Sequence, residues 1–150
     1  MTMTLVTLGA DRMHEAAMVR RTALWQRLPG LRDVHTPAED AAYWREQLLP
    51  RCTILGRLEA DRLVAVIAYA AGWIEQLYIL PVAQGRGIGT CLVNQAKADM
   101  AEIALWTFQR NTGARAFYER QGFSAVEQTD GAGNEAQEPD ILYRWRRFSG

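Results

Sequence analysis

The chain has 150 residues, the size of one domain, and a chain of that size buries roughly 68–70% of its unfolded surface without needing a disulfide or a metal. Hydrophobic residues make up 49% and charged residues 23%, which excludes a disordered chain. Its 17 basic and 17 acidic side chains leave no net charge, which argues against nucleic acid as a partner, because binding it needs a basic excess.

The two cysteines, Cys52 and Cys91, make neither a disulfide framework nor a zinc site, so a reduced, cytoplasmic setting is expected. No segment reads as targeting or membrane-spanning. The first residues lack a basic flank, and the longest apolar stretch, residues 63–74, is too short for a bilayer and is closed by Glu75.

In chain order, residues 2–8 alternate apolar side chains with Thr and predict a strand. Asp11 is placed to cap a helix running to about residue 27, supported by Glu15 and stopped by Leu28-Pro29-Gly30. Pro37 suits the first turn of a second helix, with Glu39 and Asp40 at its positive end, and Pro50 ends it. Residues 52–58 and 63–70 predict a hairpin turning at Glu59-Ala60-Asp61-Arg62. Residues 72–80 predict a third strand, which Pro81 closes because it has no N–H. A glycine-rich turn then leads into a helix, followed by a strand at 103–107 and a helix at 111–120 that Gly122 stops as a left-handed cap. Strands at 124–129 and 140–145, joined by a polar Gly-rich loop, complete the chain. The order βααβββαβαββ over one domain, 1–150, implies an α/β or α+β fold with a mixed sheet.

The chemistry lies in the stretch from Glu75 to Thr90, where a strand ends, the turn Gln84-Gly85-Arg86-Gly87-Ile88-Gly89 follows and a helix begins. Unpaired N–H groups at a helix start, glycines without Cβ atoms and the charge of Arg86 suit a phosphate or pyrophosphate. The turn is not a P-loop, since Gly-Lys-Ser/Thr is absent. It is not the dinucleotide fingerprint either, since Thr90 stands where the third glycine belongs and the turn follows a hairpin.

The pattern Gln/Arg-x-x-Gly-x-Gly/Ala, from Gln84 to Gly89, resembles the acyl-CoA pyrophosphate loop of the GNAT N-acetyltransferase superfamily. A second segment, Leu105-Trp106-Thr107, Asn111, Ala116-Phe117-Tyr118-Glu119 and Gly122-Phe123, is similar to that family's other cofactor segment, so the close match covers about residues 72–123. The resemblance implies a mixed, mostly antiparallel sheet flanked by helices, with a splayed parallel strand pair that holds acetyl-CoA. It implies pantetheine pairing with the backbone of Leu77 and Ile79. The pyrophosphate would sit on the loop of Gln84, Gly85, Arg86, Gly87, Ile88, Gly89 and Thr90, and Asn111 would touch the cofactor arm. Tyr118 matches the tyrosine that protonates the departing thiolate. The implied reaction is direct acetyl transfer to a primary amine in a ternary complex, with no metal and no acyl-enzyme. The acceptor would be a small-molecule or peptide amine, and a homodimer fits the family.

A lysine amine with pKa near 10.4 is neutral in only about 0.04% of copies at pH 7, so a base is useful. Glu75 is the candidate: it alternates with Leu77 and Ile79 and would share their face, as would Trp73. Trp106 stands five residues before Asn111, where ribosomal-protein N-terminal acetyltransferases carry a glutamate, which argues against that class of acceptor. The rival readings are a transferase for another acyl-CoA and a CoA-sensing or partner-binding module without turnover. Outside the match, His35 lies in the loop bordering the acceptor side, and His14 reads as surface. Cys91 reads as a small core residue. The loop carrying Asp130, Glu135, Glu138 and Asp140 reads either as a selector of cations or as a solvated hairpin tip, and Arg144, Arg146 and Arg147 as a charged sheet edge.

Overall fold

A computed structural model describes residues 4–31 and 34–148. Seven strands form one sheet in the order β1-β2-β3-β4-β5-β7-β6: β1 Val6–Thr7, β2 Thr53–Glu59, β3 Arg62–Ala70, β4 Trp73–Ile79, β5 Glu102–Phe108, β6 Ser124–Gln128 and β7 Asp140–Arg146. Four helices accompany them: α1 Met13–Arg27, α2 Pro37–Tyr43, α3 Ile88–Asp99 and α4 Thr112–Arg120. Neighbouring strands are antiparallel except β4 and β5. The expected order of elements and the mixed sheet are both observed.

The centre is β3. Its run Leu63-Val64-Ala65-Val66-Ile67-Ala68-Tyr69 is buried at every position, which requires cover on both faces. Helices α1 and α3 supply it, each packing on β3 and β4. The β2–β3 hairpin turns through Ala60 and Asp61, both at positive φ (49° and 64°), the geometry that matches strand twist in a two-residue turn.

The cap of α1 differs from expectation. Asp11 falls in a 3-10 turn, Ala10–Arg12, and the helix then starts after Arg12 with no side-chain cap. Glu15 has a longer-range task instead, accepting from the Leu63 N–H at 2.7 Å and from Arg12 at 2.8 Å, so it ties α1 to the hairpin. Helix α2 starts as expected, with Pro37 in its first turn inside a capping box of Thr36 and Glu39. It winds into a π-helical turn over Trp44–Leu48, where the Leu49 N–H reaches back to the Trp44 carbonyl at 2.9 Å. A buried ion pair, Arg21 to Asp40 at 2.7 Å, locks α1 to α2.

Two further expectations are corrected. The first strand is Val6–Thr7 among the described residues, and residues 2 and 3 of its predicted range lie outside them. The C-terminal arginines do not form a sheet edge, because β7 lies between β5 and β6. Arg146 binds Glu102 at 2.6 Å, and Arg147 donates to the Lys97 carbonyl at 2.7 Å, at the C-terminal end of α3.

Candidate active site

Strands β4 and β5 meet at one register position, Trp73 opposite Ala104, where the Ala104 N–H donates to the Gly72 carbonyl at 2.8 Å. Beyond it they part. The β3–β4 ladder decides which backbone groups the gap receives. The Leu80 N–H donates to the Val64 carbonyl at 2.8 Å, and Tyr78 and Gln76 face Val66 and Ala68 in register. Alternation in an antiparallel ladder then points the N–H and C=O groups of Leu77 and Ile79 away from β3 and into the gap.

Upstream the parity is opposite, because there the Gly72 carbonyl faces β5. The switch is made at Glu75. Tyr69 pairs with Ile74 and Ala68 with Gln76, so Glu75 is the extra residue of a β-bulge. Strict alternation therefore does not place Glu75 on the face of Leu77 and Ile79, nor Trp73 with it. Glu75 nevertheless lines the cavity, with Oε1 accepting from Arg51 at 2.7 Å, whereas Trp73 is 37% exposed and does not line it.

After β4 comes a 3-10 turn, Pro81–Ala83, and then the glycine loop. Gly85 and Gly87 have φ of 76° and 83°, a region closed to most side chains. Gly87 is the N-cap of α3 and offers no side chain, so the N–H groups of Ile88, Gly89 and Thr90 are left for an anion at the positive end of the helix. Gly89 is glycine for a different reason: a Cβ there would stand 3.2 Å from the Phe117 ring.

The other expected loop residues are placed as follows. The Gln84 amide donates to the Ile79 carbonyl at 3.0 Å and accepts from Arg27 at 2.9 Å. Thr90 Oγ1 accepts from Gln121 at 3.0 Å. Asn111 caps α4 by accepting from the Ala114 N–H at 3.2 Å, and it lines the cavity. Arg86 departs from expectation. Its guanidinium binds the Glu59 carboxylate through both ends and does not line the cavity, and Glu59 is thereby held below the usual carboxylate range.

Tyr118 is 7% exposed, packed edge-on to Phe117 and Phe123 with centroids at 5.3 and 5.7 Å. Its hydroxyl makes no hydrogen bond among the described residues, and the residue lines the cavity. Burial, and then the neighbouring Tyr78, push its phenol above the ordinary value, so it stays protonated.

The cavity has a volume of about 1020 Å³ and runs from α1 across the strand gap to the β6–β7 loop. It brings Glu75, Leu77, Ile79, Tyr118, Asn111 and the loop together, with Trp106 (44% exposed) on its wall. Sequence reasoning missed Arg20, Arg27, Tyr43, Gln76 and Arg120. Arg20, Ala23, Leu24 and Arg27 fall at helical spacing on one face of α1, which is the signal that would have found the first two.

The acidic loop is not a free anionic surface. Glu135 accepts from His35 at 2.8 Å, Glu138 binds Arg110 at 3.0 Å, and Asp140 is bonded by the Thr129 hydroxyl and the Asn134 amide. The bond to Glu135 pushes His35 above its ordinary pKa. Cys91 is half-buried rather than core, and His14 is exposed. Among the described residues, no three His, Cys, Asp or Glu side chains gather to hold a metal, and no helix is long and apolar enough to cross a membrane.

This geometry has relatives. Residues 16–123 match the model of the acetyltransferase (GNAT) family. The chain belongs to that family. Over 63 residues it is 38% identical to an uncharacterised N-acetyltransferase of Methanocaldococcus jannaschii, a match that covers 39% of this chain and 28% of that relative's length. Among solved structures, it is similar to apo YjaB of Escherichia coli (TM-score 0.79, 17% identity, 99% of this chain and 100% of that one). It is also similar to the PaiA N-acetyltransferase of Thermoplasma acidophilum in complex with coenzyme A (TM-score 0.74, 20% identity, 97% and 99%). At these identities the two structures speak for the fold alone.

Proposed function

We propose that this protein is an acetyl-CoA-dependent N-acetyltransferase that passes the acetyl group directly to a primary amine in a ternary complex. The observation that carries the reading is the union, in one cavity, of the β4–β5 gap with an open helix N-terminus. The residues fit such a ligand: an amide-rich pantetheine arm matches the outward N–H and C=O groups of Leu77 and the outward N–H of Ile79, whose carbonyl already accepts from the Gln84 amide, as an added strand would. A pyrophosphate matches the N–H groups of Ile88, Gly89 and Thr90.

Bound acetyl-CoA supplies the acetyl group as a thioester. A strand N–H in the stretch from Leu77 to Ile79, one the pantetheine arm does not take, would donate to the tetrahedral oxyanion. Glu75, held by Arg51, takes the proton of the attacking amine, directly or through one water, as the N–C bond forms. Tyr118 donates to the sulfur as the C–S bond breaks. A phenol held above its ordinary pKa of about 10 is a weaker acid than a thiol near 8.5, so Tyr118 stabilises the leaving sulfur chiefly by hydrogen bonding. The acceptor is read as a small-molecule or peptide amine. The unpaired thiols Cys52 and Cys91 favour a reducing cytoplasm, and a homodimer belongs to the same reading.

Thermal unfolding tests this. Acetyl-CoA at 100 times its dissociation constant stabilises by about 2.7 kcal/mol, a shift of roughly 5–11 °C for a domain of this size. A shift with acetyl-CoA and CoA but not with ATP, followed by thiol release in an amine screen, is expected. No shift with any CoA species overturns the reading. A shift without thiol release for any amine favours the CoA-sensing module, and release only with longer acyl donors favours a transferase of another acyl-CoA.

A further inference from the structure

A loop that holds phosphates needs positive charge, and the residues the loop itself offers are committed elsewhere. Arg86 is paired with Glu59 outside the cavity, and the Gln84 amide donates to the Ile79 carbonyl. Three arginines line the cavity: Arg20, Arg27 and Arg120. Arg20 binds Asp40 at 3.7 Å, between α1 and α2.

Arg27, in the last turn of α1, stands differently. Among the described residues no carboxylate lies within 4.0 Å of it, and its partner is neutral, with Nη2 donating to Gln84 Oε1 at 2.9 Å. Its other nitrogen lies over Gly113 in the first turn of α4. Nη1 is 1.7 Å from where a Cβ of Gly113 would be, so only glycine leaves room for it. Gln84 follows β4 and Gly113 follows β5. One guanidinium therefore reaches from the loop after β4 to the helix after β5, in the cavity that the first residues of α3 also line.

We propose that Arg27 is a phosphate-binding residue of this cavity: a strap across the strand gap that leaves Gly113 and turns onto the phosphates of the CoA ligand. The inference rests on the acyl-CoA reading above. A planar guanidinium fork matches two phosphate oxygens, and exchanging a neutral amide for a dianion is favourable for it. Gly113 has no side chain to hold it back.

Calorimetry on the full chain tests this with Arg27→Gln and Gly113→Ala, using CoA and the phosphate-free S-acetylpantetheine, the latter followed by ligand NMR. Arg27→Gln should weaken CoA about tenfold or more and flatten the dependence of its affinity on ionic strength. S-acetylpantetheine should bind the variant as it binds the wild type. Gly113→Ala evicts the guanidinium from the gap but keeps its charge, so it should bind CoA at least as tightly as the wild type. Wild-type CoA affinity and salt dependence in Arg27→Gln would overturn the proposal. So would an equal loss of both ligands, or a loss in Gly113→Ala matching that of Arg27→Gln. A wild type that binds no CoA species would overturn the acyl-CoA reading itself, which separates the two failures.

Discussion

Gly89 rests against the ring of Phe117: a methyl group there would stand 3.2 Å from two ring carbons, close enough that the ring would have to give by a few tenths of an ångström. The contact joins the first turn of α3, which follows β4, to α4, which follows β5. Gly89→Ala gains helix propensity of up to about 1 kcal/mol but crowds the ring, at a cost of about 1–3 kcal/mol. The expected outcome is a net loss near 1 kcal/mol in urea unfolding. Phe117→Leu in the same chain should recover part of it.

Tyr118→Phe removes a donor and keeps the ring. Thiol release should fall about tenfold while CoA affinity holds, the worth of one hydrogen bond to the leaving sulfur and less than the roughly hundredfold or more of a full proton donor. A second readout is alkaline stability. Burial raises the folded pKa of Tyr118 above its unfolded value near 10, so its contribution is complete below about pH 10 and is lost as pH rises beyond it. Urea unfolding at pH 9 to 11 should decline less steeply in Tyr118→Phe than in the wild type, the remaining decline coming from Tyr69, whose phenol is also raised by burial.

Asp40 receives Arg21 at 2.7 Å and Arg20 at 3.7 Å, and both Asp40 and Arg21 are buried. Removing one member of such a pair strands charge in the interior. Asp40→Ala should lose about 3–5 kcal/mol by chemical denaturation. Because Arg20 is also a cavity wall, amine KM should change in Asp40→Asn even where the fold survives.

His35 reaches from the α1–α2 connection to Glu135 in the β6–β7 loop at 2.8 Å. Its pKa is raised by that bond, so the bridge is at full strength below about pH 6.5 and loosens as pH rises through the higher folded value. A proton NMR titration should find His35 above 6.5, and Glu135→Gln should return it toward that value. Protection of the β6–β7 loop amides, taken relative to the base-catalysed intrinsic exchange rate, should fall between about pH 6 and 8 in the wild type and be low throughout in the variant.

Local chemistry made much of the molecule legible. Gly85, Gly87 and Gly89, then Asn111 and Phe117-Tyr118, lie close together in sequence, and each obeys a rule about turns, caps or helical spacing. The same is true of Pro37 with its capping box and of the β2–β3 hairpin. What escaped depends on partners far along the chain. Arg86 is taken by Glu59, 27 residues earlier, and Arg27 meets Gln84 57 residues later. The bulge at Glu75 has no compositional mark, since one extra residue in an apolar strand looks like any other. Asp11 had the right chemistry for a cap, but the 3-10 turn moved the helix start past it.

The one-bridge seam between β4 and β5 has a consequence for how the molecule can be taken apart. Strands β1 to β4 come from before residue 80 and β5 to β7 from after residue 101, with α3 carrying the chain between them. A cut between Met100 and Ala101 would leave every antiparallel ladder whole in one fragment or the other. Among the described residues the only strand pairing the two pieces would share is Trp73 opposite Ala104; the rest is helix packing, a few polar bridges such as His35 to Glu135, Thr90 to Gln121 and Lys97 to Arg147, and whatever fills the cleft. The protein is thus laid out as a pair of leaves on a single hinge pin, a natural starting point for a split reporter whose halves are glued together by the ligand it reports.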